Sequence, residues 1–215
     1  MSEVRTKRAY HSPQRREQAR QTRRKILEAA RRLFGAQGYT ATTLPAIASE
    51  AGVSAPTVTA VFGTKGAMLE ALTNLIVRGD DDAAPLTMRS WWQEMLEEPE
   101  PHRQLQLYAS VTRRVQARSA DLAQIMEGAA SASPEVAALL RQLHEGRWRD
   151  VRPISESLAQ KGALRPGMTV DEATAIHWTL CSSQVFRMLV VERGWSPDHY
   201  EEWLASALVR ELLAE

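Results

Sequence analysis

His177 and Cys181 stand four residues apart, a spacing that puts both on one face of a helix. Such a pair has the chemistry to hold a metal ion or to set a thiol beside a base. No further ligand and no orienting Asp or Asn accompanies them, so a packed cysteine and a satisfied histidine are the plainer reading. His11 and His144 have no evident partners. The chain carries no Gly-rich phosphate loop, no His-Glu-x-x-His and no nucleophile elbow. The expectation is a protein that is not an enzyme, with no metal and no cofactor. Cys181 is the single cysteine, which excludes an internal disulfide and a Cys-rich zinc site. A reducing, cytoplasmic setting is expected.

The residues that remain chemically conspicuous are basic. Residues 1–66 hold 12 Lys and Arg against 4 Asp and Glu, a net of +8; the remainder holds 15 against 22, a net of −7. The two cancel to +1 over 215 residues. Halves of opposite sign suggest two jobs, and the basic one suits a polyanion. A solubilising tail is the alternative, since nine of those basic residues fall in the first 25. With 44% hydrophobic and 25% charged residues the composition is globular. The longest apolar run, Val136 to Leu140, is far short of the roughly 20 residues that cross a membrane, and no secretory signal is visible.

No stretch alternates with period two, so the elements that position these residues are expected to be helices throughout. Residues 1–12 read as a flexible basic arm, with Ser12-Pro13 as the cap of the first helix. Ile26, Leu27, Ala30, Leu33 and Phe34 recur on one face of that helix, and Gly38 is expected to end it in the left-handed conformation. Thr43 caps a short second helix (Leu44, Ile47, Ala48 and Ala51 inward), broken by Gly52. Ser54 caps a third that buries Val58 and Phe62 and stops at Gly63. Thr64 caps a fourth with Met68, Leu69, Leu72, Leu75 and Ile76 inward.

Longer helices follow the loop at Asp80 to Asp82. Pro85 opens one with Met88, Trp91, Trp92 and Met95 inward. Another holds Leu105, Tyr108, Val111 and Val115, and a separate shorter one holds Leu122, Ile125 and Met126. Ser133-Pro134 starts a long helix through Leu158, kinked at Pro153. Thr169 to Glu172 is a capping box, opening a helix to about Arg193 whose apolar residues occupy nearly its whole circumference. Such a helix must be buried on all sides, which suggests a second subunit on one of them; a central core helix is the alternative. Ser196-Pro197 opens the last helix, with Tyr200, Trp203, Leu204, Ala207, Leu208 and Leu212 inward.

Two short helices across a glycine turn, Leu44–Ala51 and Ser54–Val61, make a helix-turn-helix pattern inside the basic region. Ala55, Pro56, Thr57, Thr59 and Ala60 are left facing outward, towards a major groove. The stretch from Thr22 to Ala30, with Leu33-Phe34, Gly38-Tyr39, Thr42-Thr43, Ile47-Ala48, Ala51 to Ser54 and Phe62 to Lys65, resembles the DNA-binding domain of TetR-type transcriptional regulators. Leu164 to Gly167, and Gly194 to Pro197 with Tyr200 and Trp203-Leu204, are similar to one branch of that family's C-terminal domain.

The resemblance implies an all-α homodimer. A three-helix helix-turn-helix domain (13–66) would bind a palindromic double-stranded DNA operator. A helical bundle (67–215) would take a small-molecule effector and pair through the helices at about 134–160 and 170–193. Most members are repressors released by ligand. By residue match, Thr43 and Lys65 are expected at phosphates, and Ser54, Ala55, Pro56, Thr57, Thr59 and Ala60 at the bases. The family often has two tyrosines where this chain has Thr59 and Val61. No Arg, Asn or Gln stands on the recognition surface to read guanine or adenine by paired hydrogen bonds. Shape readout and the arm in a minor groove are expected to supply specificity instead. Trp91, Trp92, Met95, Tyr108, Met126, Trp148 and Trp178 are candidates to line an effector pocket for an apolar or aromatic ligand, with ordinary core as the alternative. A helical-bundle protein adaptor, or a small helical enzyme, are the other function classes.

Overall fold

The computed structural model describes residues 13–79 and 85–214, and the expected arm at 1–12, the Ser12 cap and the Asp80 to Asp82 loop lie outside them. The described residues form α-helices and short 3-10 and π turns, with no strand and one isolated bridge between Leu164 and Leu213. The chain divides into two compact units, residues 1–68 and 69–215.

In the first unit, α1 (Pro13–Ala41) packs on α2 (Leu44–Ala51), and α2 on α3 (Ala55–Phe62). Ile26, Ala30, Phe34, Ile47 and Val58 are fully buried, the apolar face that the spacing required. Gly38 does interrupt α1, but at φ 81 and ψ 163 rather than in the left-handed helical region. The chain there turns through an extended conformation that only glycine adopts readily. One more turn then carries Tyr39 into the core beside Phe34, ring centroids 5.2 Å apart.

The division between units falls inside α4 (Lys65–Arg78). In the second unit a 3-10 turn (Leu86–Met88) and α5 (Ser90–Glu97) precede α6 (Pro101–Ala130). Arg89 is extended between them, so Met88 does not share the inner face of α5 and is 76% exposed. This corrects its inward placement. The two helices expected across 102–126 are one. Gln116 and Ala120 are buried, continuing the spacing from Thr112, and no glycine or proline interrupts them. Their polar and small character serves tertiary contacts rather than a break.

The long helix α7 (Pro134–Gln160) continues through Pro153. Thr169 and Glu172 form the capping box of α8 (Val170–Leu180). The expected helix to Arg193 is broken instead: α8 stops at Cys181, Ser182 caps α9 (Ser183–Phe186) by accepting from the Val185 N–H, and a π turn (Arg187–Glu192) follows. A serine able to cap outcompeted the apolar pattern around it. Last, α10 (Pro197–Leu212) packs against α6 and α8 and buries Tyr200, Leu204, Leu208 and Leu212. Leu105, Val151, Ile154, Leu158 and Ala173 complete this core.

Candidate nucleic-acid interface and cavity

The helix-turn-helix is fixed by hydrogen bonds at its ends. Thr43 Oγ1 accepts from the Ala46 N–H at 3.3 Å and caps α2. Gly52 ends it at φ 67 and ψ 34; its N–H and that of Val53 donate back to the last turn, to Ser49 and Ala48 carbonyls at 3.2 and 3.0 Å. This left-handed closure satisfies two otherwise orphaned carbonyls. Ser54 Oγ then accepts from the Thr57 N–H at 3.2 Å and meets Thr57 Oγ1 at 2.7 Å. A single residue, Val53, therefore separates one helix's cap from the next helix's cap.

In α3, Val58 and Phe62 are buried. Ser54, Pro56, Thr59 and Ala60 are exposed, and Ala55 and Thr57 half-buried. Thr59 Oγ1 donates to the Ala55 carbonyl at 3.2 Å, so its methyl is left for a neighbour. The free surface of α3 consists of methyl groups, a pyrrolidine ring and short hydroxyls. Such a surface suits thymine methyls and close backbone approach.

Lys65, at the start of α4, is turned inward. Its Nζ donates to the carbonyls of Tyr39 and Thr42 at 2.8 Å and of Thr40 at 3.3 Å, and lies 4.3 Å from the Tyr39 ring centroid. An ammonium has three donors, and three carbonyls face this one. The lysine thus ties down the chain segment that presents Thr43, and what it offers a phosphate is charge rather than N–H groups. Arg23 lies over the Phe62 ring at 4.5 Å, which places a second cation beside the end of α3. Sequence reasoning did not single out Arg23.

The second unit contains a cavity of about 420 Å³. Trp92, Tyr108 and Met126, from α5 and α6, line it together with Leu143 and Arg147 of α7. Trp91 and Met95 line a different cavity of about 640 Å³. Trp148 and Trp178 line neither of these; they meet edge to face at 6.3 Å. Arg147, Thr112 and Gln116 are wall residues that no sequence signal marked. The break after α8 explains two of them. Gln116 Nε2 donates to the Cys181 carbonyl at 2.8 Å and Arg147 Nη1 to the Trp178 carbonyl at 2.9 Å, so cavity-wall side chains satisfy carbonyls at the broken helix.

His177 and Cys181 are both buried, Cys181 in the cavity wall and His177 outside the lining. The His177 ring stands edge-on to Tyr108 at 4.4 Å, and among the described residues neither ring nitrogen has a hydrogen-bond partner, unlike the satisfied histidine expected. Burial, and then the nearby Arg147 guanidinium, push its pKa down to about 3, so it is neutral. Burial pushes the Cys181 thiol up to about 12. A protonated thiol is neither a ready nucleophile nor a metal ligand. Among the described residues no group of three or more His, Cys, Asp or Glu is placed to hold a metal. None of the described helices is long and apolar enough to cross a membrane.

Comparison with known proteins agrees with this geometry. Residues 26–72 match the family model of bacterial regulatory proteins of the tetR family. A search of curated proteins finds no match. Among solved structures, the chain is similar to NalD of Pseudomonas aeruginosa, the secondary repressor of the MexAB-OprM multidrug efflux pump. The identity is 22% and the TM-score 0.70, over 92% of this chain and 99% of that one. A transcriptional regulator from Saccharomonospora viridis in complex with choline is 19% identical, with TM-score 0.66 over 91% and 100% of the two chains. The fatty acid degradation regulator FadR from Bacillus halodurans is 16% identical, with TM-score 0.68 over 87% and 94%. At these identities the structures speak for the fold alone. The helix-turn-helix closed by Gly52 lies inside residues 26–72, the segment that matches the family model of bacterial regulatory proteins of the tetR family.

Proposed function

We propose that this protein is a homodimeric repressor, that α2 and α3 bind a palindromic operator, and that a small molecule in the cavity of the second unit releases it. The observation that carries the DNA half is the capped pair α2–α3, with Pro56, Thr59 and Ala60 exposed on α3 within the +8 region. Thr43, Ser54, Ala55 and Thr57 complete the proposed contact surface. The residues 1–12 are proposed to add minor-groove contacts.

Effector coupling rests on α4. This helix begins at Lys65, whose ammonium holds the 39–42 segment, and its residues Thr73 and Val77 line the cavity. A ligand that favours one arrangement of α4 over another shifts the spacing of the two recognition helices. Half-sites lie about 34–36 Å apart on DNA, so a change of a few ångströms loses contacts. Pairing of two copies is proposed through 134–160 and 170–193. Met188 and Val191 are 50% and 65% exposed on that second stretch, apolar surface that a partner copy would cover. An efflux repressor and a choline-bound regulator among similar structures fit an effector-responsive role.

The test is a mobility shift on the chain's own upstream promoter across a salt series. A regulator gives a sequence-specific shift whose affinity falls steeply with salt, and removing residues 1–12 weakens it and flattens the slope. Absence of any shift at low salt, from a protein that elutes as a monomer, refutes the reading.

A further inference from the structure

Arg147 is a cavity-wall cation that no carboxylate compensates, whereas Arg149, also in the wall, is exposed. The residue is half-buried, its Nη1 donates to the Trp178 carbonyl, and its Cζ stands 4.4 Å over the Trp178 ring. These neutral partners orient the group without neutralising it. No carboxylate lies within ion-pair distance of it among the described residues, whereas Arg113 meets Glu201 at 2.8 Å and Arg152 meets Asp171 and Glu156 at 2.6 and 2.9 Å.

The ionisable groups that Arg147 interacts with are Tyr108, His144, His177, Cys181 and Tyr200. His177 and Cys181 are held neutral by burial, and burial also raises the Tyr108 phenol. The wall's carboxylates are placed differently. Glu70 is exposed and therefore hydrated, partial burial raises the Asp150 carboxyl above its ordinary value and so disfavours its charge, and Glu127 accepts a hydrogen bond from Gln184 Nε2 at 2.6 Å. A cation withdrawn from water with no counter-charge is costly. An anion delivered by a ligand removes that cost and gains a planar, two-pronged hydrogen-bond donor.

We infer that the cavity takes an aromatic or otherwise apolar ligand bearing a carboxylate or comparable anionic group, with Arg147 as its counter-charge and the Trp92, Tyr108 and Met126 walls around its apolar body. This rests on the reading of the cavity as the effector site. It also runs against the −7 charge of residues 67–215, which by itself would favour a cation; the local charge withdrawn from water outweighs distant solvated ones.

The experiment is calorimetric titration of the full-length protein with three molecules of one shape: naphthalene-1-acetate, naphthalene-1-acetamide and naphthalen-1-ylmethylammonium. The acetate is expected to bind at least tenfold more tightly than the amide, and the ammonium most weakly. Arg147→Met abolishes the difference between acetate and amide, and Arg147→Lys keeps part of it. Because that ratio is taken within one variant, a loss of stability from the Trp178 contact cancels. Leu143→Trp, which fills the cavity, abolishes binding of all three. Equal binding of acetate and amide by the wild type, or tighter binding of the ammonium, overturns the anionic assignment while leaving the cavity as effector site. Binding that survives Leu143→Trp, or no binding by any of the three, overturns the site itself and the assignment with it.

Discussion

The side-chain amide of Gln116 donates to the main-chain carbonyl of Cys181 across 2.8 Å, joining the middle of α6 to the break between α8 and α9. Both residues are buried. A carbonyl freed by a helix break cannot find water there, so the amide takes the place of the missing helical donor. The cavity wall and the helix break are thereby one hydrogen-bonded unit.

Gln116→Leu keeps the size of the side chain and removes the donor. Leaving the Cys181 carbonyl unpaired is expected to cost about 1–3 kcal/mol, read as a lower denaturant midpoint with unchanged slope. Gln116→Glu, which also lacks the amide donor, should cost at least as much. A neutral result for both would mean that water reaches this carbonyl.

Lys65→Met removes the cation that three carbonyls of the 39–42 segment face. Charge-assisted hydrogen bonds of this kind are worth about 1.5–3 kcal/mol, and the loss should appear in the unfolding of residues 1–68. DNA affinity should fall through the displaced Thr43 as well as through charge. Salt titration separates the two: loss of a phosphate contact changes the slope by about one, whereas displacement of Thr43 lowers affinity at every salt concentration.

Two glycines are required for different backbone conformations. Gly52 is left-handed, at φ 67 and ψ 34, a region that Asn also visits. Gly38, at φ 81 and ψ 163, occupies a region open essentially to glycine alone. Gly52→Asn should therefore be milder than Gly52→Ala, which costs about 1–2 kcal/mol. Gly38→Ala and Gly38→Asn should both cost about 1–3 kcal/mol. Thermal melts of the four variants test this order.

His177 gives the fold an acid sensitivity. Its folded pKa is pushed down to about 3, below the ordinary value near 6.5, because burial and the positive Arg147 disfavour the imidazolium. Between those values the unfolded chain binds the proton and the folded chain does not, so stability is full above about 6.5 and declines as pH falls towards 3. The slope from this group approaches about 1.4 kcal/mol per pH unit. His177→Phe removes that component, and its stability should depend less on pH across the window; an unaltered pH profile would refute the assignment.

What was legible in the sequence was local. Thr43, Ser54, Thr64, Ser133, Thr169 and Ser196 each cap a helix where expected, because a cap is a bond between residues two or three apart and needs no fold to form it. Ile26, Phe34, Ile47 and Val58 were legible as core because a helical face is set by spacing alone. The α2–α3 pair could be read for both reasons. The misread places were decided at long range. Residues 116–120 look like a linker until the buried Gln116 is seen holding a carbonyl 65 positions away, and 170–193 looks like one helix until Ser182 is seen capping a new one beside that carbonyl.

The charge split and the family resemblance belong to the sequence, since both are sums over neighbouring residues. Which aromatic residues share a cavity belongs to the tertiary structure. Trp92 and Tyr108 face it while Trp91 and Trp178 do not, although their helical spacing is equally apolar. Arg147 differs from any surface arginine of its helix only in what surrounds it. Burial without a counter-charge is a property of three helices meeting, and no single stretch of chain encodes it.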